Sequence, residues 1–378
     1  MMNQKYRFHL LGLAHVPTHR DISCCAYTQK ILKLSKMLMG MGHDVYFYGG
    51  EGSDVECTEF IQVVDNTTRI ACYGHYDWRV DFFKHNGNDL AYRTFSDNAI
   101  EAINARKKER DFLLVTMGNY QKRISDSVGL MSVESGIGYE GIFTDKRVFE
   151  SYAWMHYLYG TLNQQNGSWY DIVIPNYFDP ADFEYQENKA NYFLYIGRLV
   201  SRKGIEVAAQ VSEKLNKRLV IAGQGSLINE TERLYITGDS IDFIGAVGPE
   251  ERSVLMKNAQ AVFVPTYYIE PFGGVAVEAQ MCGTPVITTD WGAFSETVVH
   301  GKTGYRCRTF DDFIWAAENI QNINPADCRQ WAVDNYSMER VAKMYQEYFV
   351  KLNDLWDTGW YKIHPERQNL DWLVKYHG

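Results

Sequence analysis

The sequence predicts an α/β fold made of two lobes, each with a doubly wound parallel sheet. Short apolar runs, typical of buried strands, alternate with stretches of helical periodicity in both halves of the chain. A polar stretch without periodicity, residues 179–191, separates the two series. The length of 378 residues also agrees with two to three domains of about 150 residues each. Ligands are therefore expected at the carboxyl ends of the strands.

The first half begins with a predicted βαβ unit. Tyr6–Leu13 is an apolar strand, Ser23 is a suitable N-cap, and apolar residues from Tyr27 to Leu38 recur at helical spacing before Gly40. The strand Asp44–Tyr48 completes the unit. The remaining predicted elements of this half are a helix over Asn98–Arg110 and strands over Phe112–Thr116, Leu130–Glu134 and Ile172–Ile174.

The second half repeats the alternation more regularly. Its predicted strands are Tyr192–Ile196, Arg218–Ala222, Ile241–Ile244, Ala261–Val264 and Pro285–Thr288. Its predicted helices are Ile205–Leu215, Glu250–Asn258, Val275–Met281 and Glu339–Leu355. The predicted domains are residues 1–187, residues 188–338, and a C-terminal helix and tail over 339–378.

Composition and charge exclude several classes of protein. With 38 basic and 47 acidic residues the net charge is −9, and the acidic excess extends over both halves, unlike a protein that grips a polyanion over a large area. The 7 cysteines include no C-x-x-C pair, so neither structural zinc nor a disulfide framework is predicted. The N-terminal apolar stretch is too short for a signal peptide, and no run of about 18 apolar residues could span a membrane. A soluble, cytoplasmic protein is expected.

The strongest chemical signal is the run over residues 268–286. Gly273 and Gly274 open a helix directly after a strand and loop. Free backbone N–H groups and the positive end of the helix dipole then lie where a phosphate could bind. Glu270 precedes this helix, and Glu278 lies in its second turn. Their spacing (278 − 270 = 8) separates the carboxylates, so each can accept hydrogen bonds from hydroxyl groups. The pattern suits a ligand with a central phosphate and a sugar at each end.

The second signal is the loop that follows the strand ending at Gly197. Arg198 and Lys203 project from this loop and could neutralise a diphosphate, the arginine through a bidentate fork and the lysine as a compact charge. A basic loop alone is more often solvated surface. It becomes specific through the Glu270–Glu278 element downstream.

Together these motifs resemble the retaining glycosyltransferases of family GT4. The resemblance is strongest over residues 192–305. Besides the residues above, it rests on Ala222-Gly-Gln-Gly225, Trp291-Gly-Ala-Phe-Ser-Glu296, Gly301-Lys-Thr-Gly304 and, in the first half, Gly42-His-Asp-Val45. It implies the GT-B fold, in which two Rossmann-like lobes face each other across a cleft. It also implies that the final helix, Glu339–Leu355, crosses back to pack on the first lobe.

The resemblance implies a role for each matched residue. Arg198 and Lys203 would bind the donor diphosphate and stabilise the charge that develops as it leaves. Glu270 would bind hydroxyls of the transferred sugar, and Glu278 would hold the ribose. The backbone N–H groups that would reach sugar and phosphate belong to Phe272, Gly273, Gly274 and Val275. The backbone that would contact the base belongs to Ala246 and Val247.

The implied reaction needs neither a cofactor nor a metal ion. The donor would be a nucleotide sugar, with UDP or GDP as the expected nucleotide, and the acceptor hydroxyl would attack from the face that the phosphate leaves. Catalysis would then consist of electrostatic stabilisation and positioning. The chain has no D-x-D sequence, and two cations already face the diphosphate, so no metal is expected.

One position departs from the family pattern. Many members carry a histidine at the end of a strand in the first lobe, beside the donor sugar, whereas here Leu130–Val133 is followed by Glu134. Either Glu134 replaces it, or His156 reaches in from a following helix; both residues could equally be structural. In the loop 14–22, Thr18 and His19 face the same cleft if the topology is correct, and could touch donor or acceptor.

The acceptor is the open question, since its contacts lie in loops of the first lobe. A glycan is the default. A hydroxymethylated DNA base is the alternative, because the runs 134–139 and 149–154 resemble phage-related transferases, although the negative charge argues against it. A non-catalytic sugar-nucleotide-binding subunit remains a third possibility. A glycosidase would need carboxyls about 5–9 Å apart flanking one bond. An NAD-dependent oxidoreductase is disfavoured because Gly223–Gly225 lacks the third glycine of the dinucleotide fingerprint.

Overall fold

The computed structural model describes residues 4–356, which form two parallel sheets, each covered by helices. The strands of the first lobe are β1 (Arg7–Leu11), β2 (Asp44–Gly50), β3 (Glu59–Val64), β4 (Phe112–Val115), β5 (Met131–Ile137), β6 (Arg147–Phe149) and β7 (Asp171–Val173). Its helices are α1 (Ala26–Gly40), α2 (Asn66–Tyr73), α3 (Leu90–Asn104), α4 (Lys122–Val128) and α5 (Tyr152–Thr161). The strand order is β3-β2-β1-β4-β5-β6-β7, and all pairs are parallel.

The second lobe repeats this architecture. Its strands are β8 (Phe193–Ile196), β9 (Leu219–Ala222), β10 (Ile228–Asn229), β11 (Leu234–Tyr235), β12 (Ile241–Gly245), β13 (Ala261–Val264), β14 (Val286–Thr289) and β15 (Gly304–Cys307). Its helices are α6 (Ile205–Lys214), α7 (Pro249–Asn258), α8 (Gly274–Met281), α9 (Phe294–Thr297), α10 (Phe310–Glu318) and α11 (Pro325–Tyr336). The parallel sheet has the order β12-β9-β8-β13-β14-β15, while β10 and β11 form a separate antiparallel hairpin.

Both sheets therefore have the doubly wound topology that the alternation of strands and helices predicts. In each, the chain order reverses beside the first strand, between β1 and β4 and between β8 and β13. A crevice forms outside the carboxyl ends of the strands at such a switch point. The central strands β4, β8, β9 and β13 are buried along their whole length, which explains why their apolar runs identified them so well.

A long final helix, α12 (Met338–Leu355), crosses back to the first lobe, as predicted. Its buried face joins the core of the first sheet through Val341, Tyr345 and Phe349. The Phe349 ring lies 4.6 Å from that of Phe8 and 5.3 Å from that of Phe112. The predicted tail beyond this helix, residues 357–378, lies outside the described residues. Within residues 4–356, no helix is long and apolar enough to cross a membrane.

Several predicted boundaries were wrong for local reasons. Cys25, not Ser23, is the N-cap residue of α1, and its side chain makes no capping hydrogen bond. Helix α3 begins at Leu90 rather than Asn98, because the Asp89 carboxylate caps it by accepting from the N–H of Tyr92 at 2.9 Å. The strand β3 was not predicted, because it is an edge strand whose first four residues are largely exposed and therefore lack an apolar pattern.

Candidate functional site

The two lobes meet where the loop before α8 contacts the first lobe. Ile269 packs against a cluster of apolar residues around α5. The Ser151 hydroxyl donates to the carbonyl of Pro271 at 2.7 Å, and the Glu296 carboxylate accepts from the first two backbone N–H groups of α5 at 3.0 and 2.8 Å. These contacts place Glu270, which lies between Ile269 and Pro271, in the cleft between the lobes.

Glu270 and Lys203 form a buried ion pair at the centre of this cleft. The Lys203 Nζ lies 2.9 Å from Glu270 Oε2, and the two side chains are only 21% and 11% exposed. The Tyr268 ring lies 4.8 Å from the same ammonium group. Burial alone would lower the pKa of Lys203, but the charges of Glu270 and Tyr268 and the hydrogen bonds to both together outweigh burial and raise this pKa above its usual value. The site thus holds a fixed positive charge, Lys203, next to a carboxylate, Glu270, that can accept hydrogen bonds from hydroxyl groups.

Glu278 lies in α8, the helix that follows the Glu270 loop, and pairs with a different cation, Arg252. Arg252 Nε donates to Glu278 Oε2 at 2.8 Å, and a second guanidinium nitrogen of Arg252 binds the same oxygen. As predicted from their spacing, Glu278 and Glu270 do not pair with each other. The ion pair orients Glu278, and the arginine contacts only Oε2, so Oε1 can accept from a ligand hydroxyl.

Arg198 follows β8 and is an exposed cation at the edge of the same cleft. No carboxylate within residues 4–356 forms an ion pair with it. The Tyr195 hydroxyl donates to the Arg198 carbonyl at 3.0 Å. Burial raises the pKa of Tyr195, Tyr268 and Glu270 raise it further, and Arg198 opposes them, so the charges of Arg198 and Glu270 both act at this ring. Arg198 is therefore available to an anion beside the Lys203–Glu270 pair.

The start of α8 completes a site for an anion. Gly273, the N-cap residue, has φ = +75°, and a Cβ there would lie 2.5 Å from the Phe294 ring, so only glycine fits. No side chain of the described residues caps the helix. Its first N–H groups and the dipole remain available to a phosphate. The Phe272 ring is buried among Phe178 and Tyr336, which fixes the backbone that leads into the helix.

The predicted base-contacting residues, Ala246 and Val247, follow β12 and lie opposite the start of α1. The Ser23 hydroxyl donates to the Val247 carbonyl at 3.4 Å. Burial raises the pKa of the neighbouring Cys24 to about 12, and the positive charges of Arg252 and Arg198 oppose that rise. The residues just before α1 therefore face Arg198 and Arg252 of the second lobe.

Glu134 was predicted to end its strand, but β5 continues to Ile137. Its side chain is fully buried, and burial raises its pKa. Its carboxylate accepts from the backbone N–H groups of Phe143 and Thr144 at 3.1 and 3.0 Å, and from the hydroxyls of Thr144 and Tyr139 at 3.0 and 3.3 Å. With its oxygens occupied in this way, Glu134 holds the loop after β5, and the structure favours a structural role over a catalytic one.

His156 lies on the exposed side of α5 rather than near Glu270. The centroid of its ring lies 6.2 Å from that of Tyr152 and 6.3 Å from that of Tyr159. Helix α5 approaches the second lobe through its first turn, where Glu296 binds. The structure therefore does not bring His156 together with the other predicted residues.

In the loop after β1, Thr18 lies inside the protein and His19 is partly exposed. Thr18 is buried, and its backbone N–H donates to the Ser53 hydroxyl at 2.9 Å. His19 is 36% exposed and its Nδ1 lies 3.5 Å from a carboxylate oxygen of Asp21. His15 is buried, and desolvation lowers its pKa to about 3. The His15 ring is thus neutral and bonded to the Tyr92 hydroxyl at 2.7 Å.

Residues 4–356 contain no group of three or more histidine, cysteine or acidic side chains that could hold a metal ion. The cleft instead presents two cations, Arg198 and Lys203, at the predicted phosphate site. Metal independence remains a prediction.

Three contacts of the site could not be predicted from the sequence. Arg252 precedes its partner Glu278 by 26 positions, and nothing local marks it as a partner. Gln224 contacts a segment 146 positions earlier in the chain. The Glu296 carboxylate belongs to a recognised motif, but its contact with α5 depends on how the lobes pack. The predicted cations and carboxylates of the second lobe and the glycines at the start of α8 could be identified in advance.

Comparison with known sequences places the similarity in the second lobe. Residues 179–325 match the family model described as glycosyl transferases group 1. An uncharacterized glycosyltransferase of Methanocaldococcus jannaschii is 30% identical over 203 residues, 45% of this chain and 51% of that protein. A glycogen synthase of Mycobacterium tuberculosis is 32% identical over 152 residues, 37% of this chain and 36% of that protein. The matches thus span about half or less of these relatives. The family-model match over residues 179–325 includes every predicted donor-binding residue.

Comparison with solved structures covers both lobes. AviGT4, a glycosyltransferase involved in avilamycin A biosynthesis, has a TM-score of 0.68 at 21% identity, over 92% of this chain and 98% of that one. Anabaena HepE, solved in complex with UDP and glucose, has a TM-score of 0.63 at 14% identity, over 92% of this chain and 100% of that one. Sucrose-phosphate synthase from Thermosynechococcus elongatus has a TM-score of 0.62 at 17% identity, over 94% and 99%. These likenesses confirm the predicted GT-B fold.

Proposed function

We propose that the protein is a retaining glycosyltransferase, which moves a sugar from a nucleotide-sugar donor to an acceptor hydroxyl, with a glycan as the acceptor. The observation that carries this proposal is the buried Lys203–Glu270 pair. Beside it lie Arg198, which has no ion-pair partner within residues 4–356, and the start of α8, which no side chain of those residues caps. The match of residues 179–325 to group 1 glycosyl transferases supports it. A UDP-sugar is the first donor to test, since HepE, of the same fold, was solved with UDP and glucose.

In this proposal the diphosphate lies between Arg198, Lys203 and the N–H groups of residues 272–275. The bond between the sugar C1 and the phosphate oxygen breaks, and its electron pair stays on the diphosphate. The two cations and the helix dipole stabilise the charge that develops there. Because the cations perform this task, turnover should persist when metal ions are chelated with EDTA.

Glu270 holds the transferred sugar during this step. Its carboxylate accepts from sugar hydroxyls while Lys203 keeps it oriented at 2.9 Å. The acceptor oxygen then bonds to C1 on the face from which the phosphate departs, and the acceptor proton passes to the departing phosphate oxygen. The configuration at C1 is thereby retained. Glu278, oriented by Arg252, accepts from the ribose hydroxyls at the other end of the donor.

The test is a panel of UDP, GDP, ADP and dTDP sugars, scored first by thermal shift and then by release of nucleotide. We expect one nucleotide class to stabilise the protein and its sugar to be consumed. Glu270→Gln should lower turnover by about 10–10²-fold, because a hydrogen bond to a charged group contributes about 1.5–3 kcal/mol, while nucleotide affinity at pH 7 changes little.

The matched control is Glu339→Gln, which neutralises an exposed carboxylate that also pairs with a lysine, Lys343, at 3.2 Å. This variant should behave like the wild type. Equal turnover in Glu270→Gln and wild type would contradict the role given to Glu270. Binding of a nucleotide sugar without release of its nucleotide would instead identify a binding subunit.

A further inference from the structure

The Ala222-Gly-Gln-Gly225 motif has a role that the proposed reaction does not yet include. Its glutamine, Gln224, contacts residues 75–88 of the first lobe, which lie between α2 and α3 and which we call the bridging segment. This segment crosses from one lobe to the other beside the donor site. Its exposed cations, Arg79 and Lys84, alternate with the half-buried rings of Trp78 and Phe82.

The far end of the bridging segment is anchored in the first lobe. His85 Nδ1 lies 3.1 Å from the Tyr120 hydroxyl. Gly87 rests on the same ring so closely that a Cβ would lie 2.0 Å from it. The Phe83 ring contacts the buried His15 at 6.2 Å. These contacts hold residues 83–87 on the first lobe.

The middle of the bridging segment is anchored in the second lobe through Gln224. This side chain is only 2% exposed, and its amide nitrogen donates to the backbone carbonyls of Trp78 and of Asp81, the latter at 3.3 Å. Gly223 explains the position of the amide. A Cβ on Gly223 would lie 1.8 Å from the Gly197 carbonyl oxygen, so glycine lets this loop press against the turn that carries Arg198.

The consequence is a wall beside the diphosphate-binding arginine. With the carbonyls of Trp78 and Asp81 held by Gln224, the next residue, Phe82, lies with its ring 5.7 Å from the Arg198 guanidinium carbon. Cations are attracted to aromatic faces at this range. The bridging segment therefore covers one side of Arg198 with an aromatic ring.

We propose that Gln224 is a positioning residue of the transfer reaction. By holding the bridging segment against Arg198, it makes residues 78–82 the acceptor-side wall of the donor site. The wall directs the acceptor hydroxyl to the sugar and keeps water away from it. This inference rests on the proposed glycosyl transfer for its catalytic part. The contact between Gln224 and the segment stands independently of any activity.

Glutamine suits this position because its amide nitrogen has two N–H donors for two carbonyl acceptors. Gln224→Glu keeps the shape but replaces the donors with a carboxylate oxygen that repels both carbonyls. The matched control is Gln321→Glu, which makes the same change where an exposed amide donates to the Glu318 carbonyl at 2.7 Å.

The first measurement is the rate of tryptic cleavage at Arg79 and Lys84 in the native protein, followed by mass spectrometry. Loss of two hydrogen bonds, with repulsion in their place, should raise the open fraction of the segment, and hence cleavage, about tenfold or more in Gln224→Glu. Cleavage in Gln321→Glu should match the wild type. Equal cleavage in Gln224→Glu and wild type would overturn the contact, and with it the proposal.

The second measurement uses a donor that the wild type accepts. It compares the rate of sugar transfer to the acceptor with the rate of donor hydrolysis by water. Gln224→Glu should raise the ratio of hydrolysis to transfer about tenfold and raise the KM for the acceptor, with the Kd for the nucleotide within about twofold of wild type. Faster cleavage with an unchanged ratio would overturn the positioning role. If the wild type turned over no donor, the cleavage assay would still decide the contact, and only the proposed function would fail.

A second variant guards against a folding defect in Gln224→Glu. Phe82→Ala alters the same wall from the first lobe, on an exposed loop, and leaves Gln224 and its two acceptor carbonyls intact. It should raise hydrolysis relative to transfer without accelerating cleavage at Arg79. An unchanged ratio in this variant would contradict the role of residues 78–82.

Discussion

Neutralising Glu270 should make nucleotide binding sensitive to alkaline pH. Lys203 carries the charge that contacts the diphosphate in the proposed reaction, and Glu270 opposes the effect of burial on it. In Glu270→Gln the lysine keeps its buried position but loses the carboxylate that stabilises its proton. Its pKa should therefore fall below the ordinary value of 10.5.

The distance of 2.9 Å sets the size of the effect. With an effective dielectric constant of about 20, Coulomb's law gives about 6 kcal/mol, or about 4 pKa units, for the charge pair. This is an upper limit, because the side chains are 21% and 11% exposed and solvent screens part of the attraction. We expect the pKa of Lys203 to fall by less than this limit, which leaves Lys203 protonated at pH 7 and moves the loss of its proton to lower alkaline pH than in the wild type.

The assay is calorimetric affinity for the nucleoside diphosphate from pH 7 to 10. The affinity of Glu270→Gln should match the wild type at pH 7 and then fall by about one power of ten per pH unit above the new pKa. The wild-type curve, measured with the same nucleotide, accounts for titration of the base and phosphates. Parallel curves over the whole range would refute the view that Glu270 sets the charge of Lys203.

Three other perturbations have defined outcomes. His15 has a folded pKa of about 3 against 6.5 unfolded, so the folded state binds fewer protons, and stability present above pH 6.5 is lost as pH falls toward 3. At about 1.4 kcal/mol per pH unit this loss reaches about 3 kcal/mol at pH 4.5, and His15→Gln should remove it from urea unfolding curves. Phe349→Ala, at a fully buried ring, should lower the stability of the first lobe by about 3–5 kcal/mol, measured as a lower denaturation midpoint. Arg252→Gln should misorient Glu278 and reduce the preference for ribose over 2′-deoxyribose nucleotides about tenfold, measured by competition binding.

Each of these outcomes can be contradicted. If stability fell equally steeply below pH 6.5 in wild type and in His15→Gln, His15 would not be the buried neutral group. A midpoint for Phe349→Ala within error of wild type would mean that α12 does not stabilise the first lobe. An unchanged preference for ribose in Arg252→Gln would separate the Arg252–Glu278 pair from nucleotide recognition.

The sequence was most informative where strands are buried on both faces. The apolar run Ala261–Val264 was predicted with its observed bounds, and Phe193–Ile196 within one residue. The sequence was least informative in the first lobe, at elements that show no clear pattern of apolar and polar residues. The strand Arg147–Phe149 was missed because three residues are too few to show a period. The helix Asn66–Tyr73 was missed because Arg69 is its one buried residue.

The candidate site divides in the same way. Arg198, Lys203, Glu270 and Glu278 could be identified in advance because each lies in a strand–loop–helix junction whose residues act through local backbone geometry. The catalytic interpretation of Glu134 drew on the same kind of reasoning. The structure does not favour it, because β5 runs three residues beyond the predicted end, from Glu134 to Ile137, and the carboxylate is consumed by the loop that follows.

The amino-acid sequence by itself determined the two-lobed α/β fold and the chemistry of the second-lobe residues, because periodicity and short motifs encode interactions between neighbours in the chain. Only the tertiary structure decided which side chains meet. Lys203 pairs with a carboxylate 67 positions away, and Gln224 binds a segment 146 positions away. Such contacts depend on how the sheets and helices pack across the cleft, and nothing in either local sequence specifies the other.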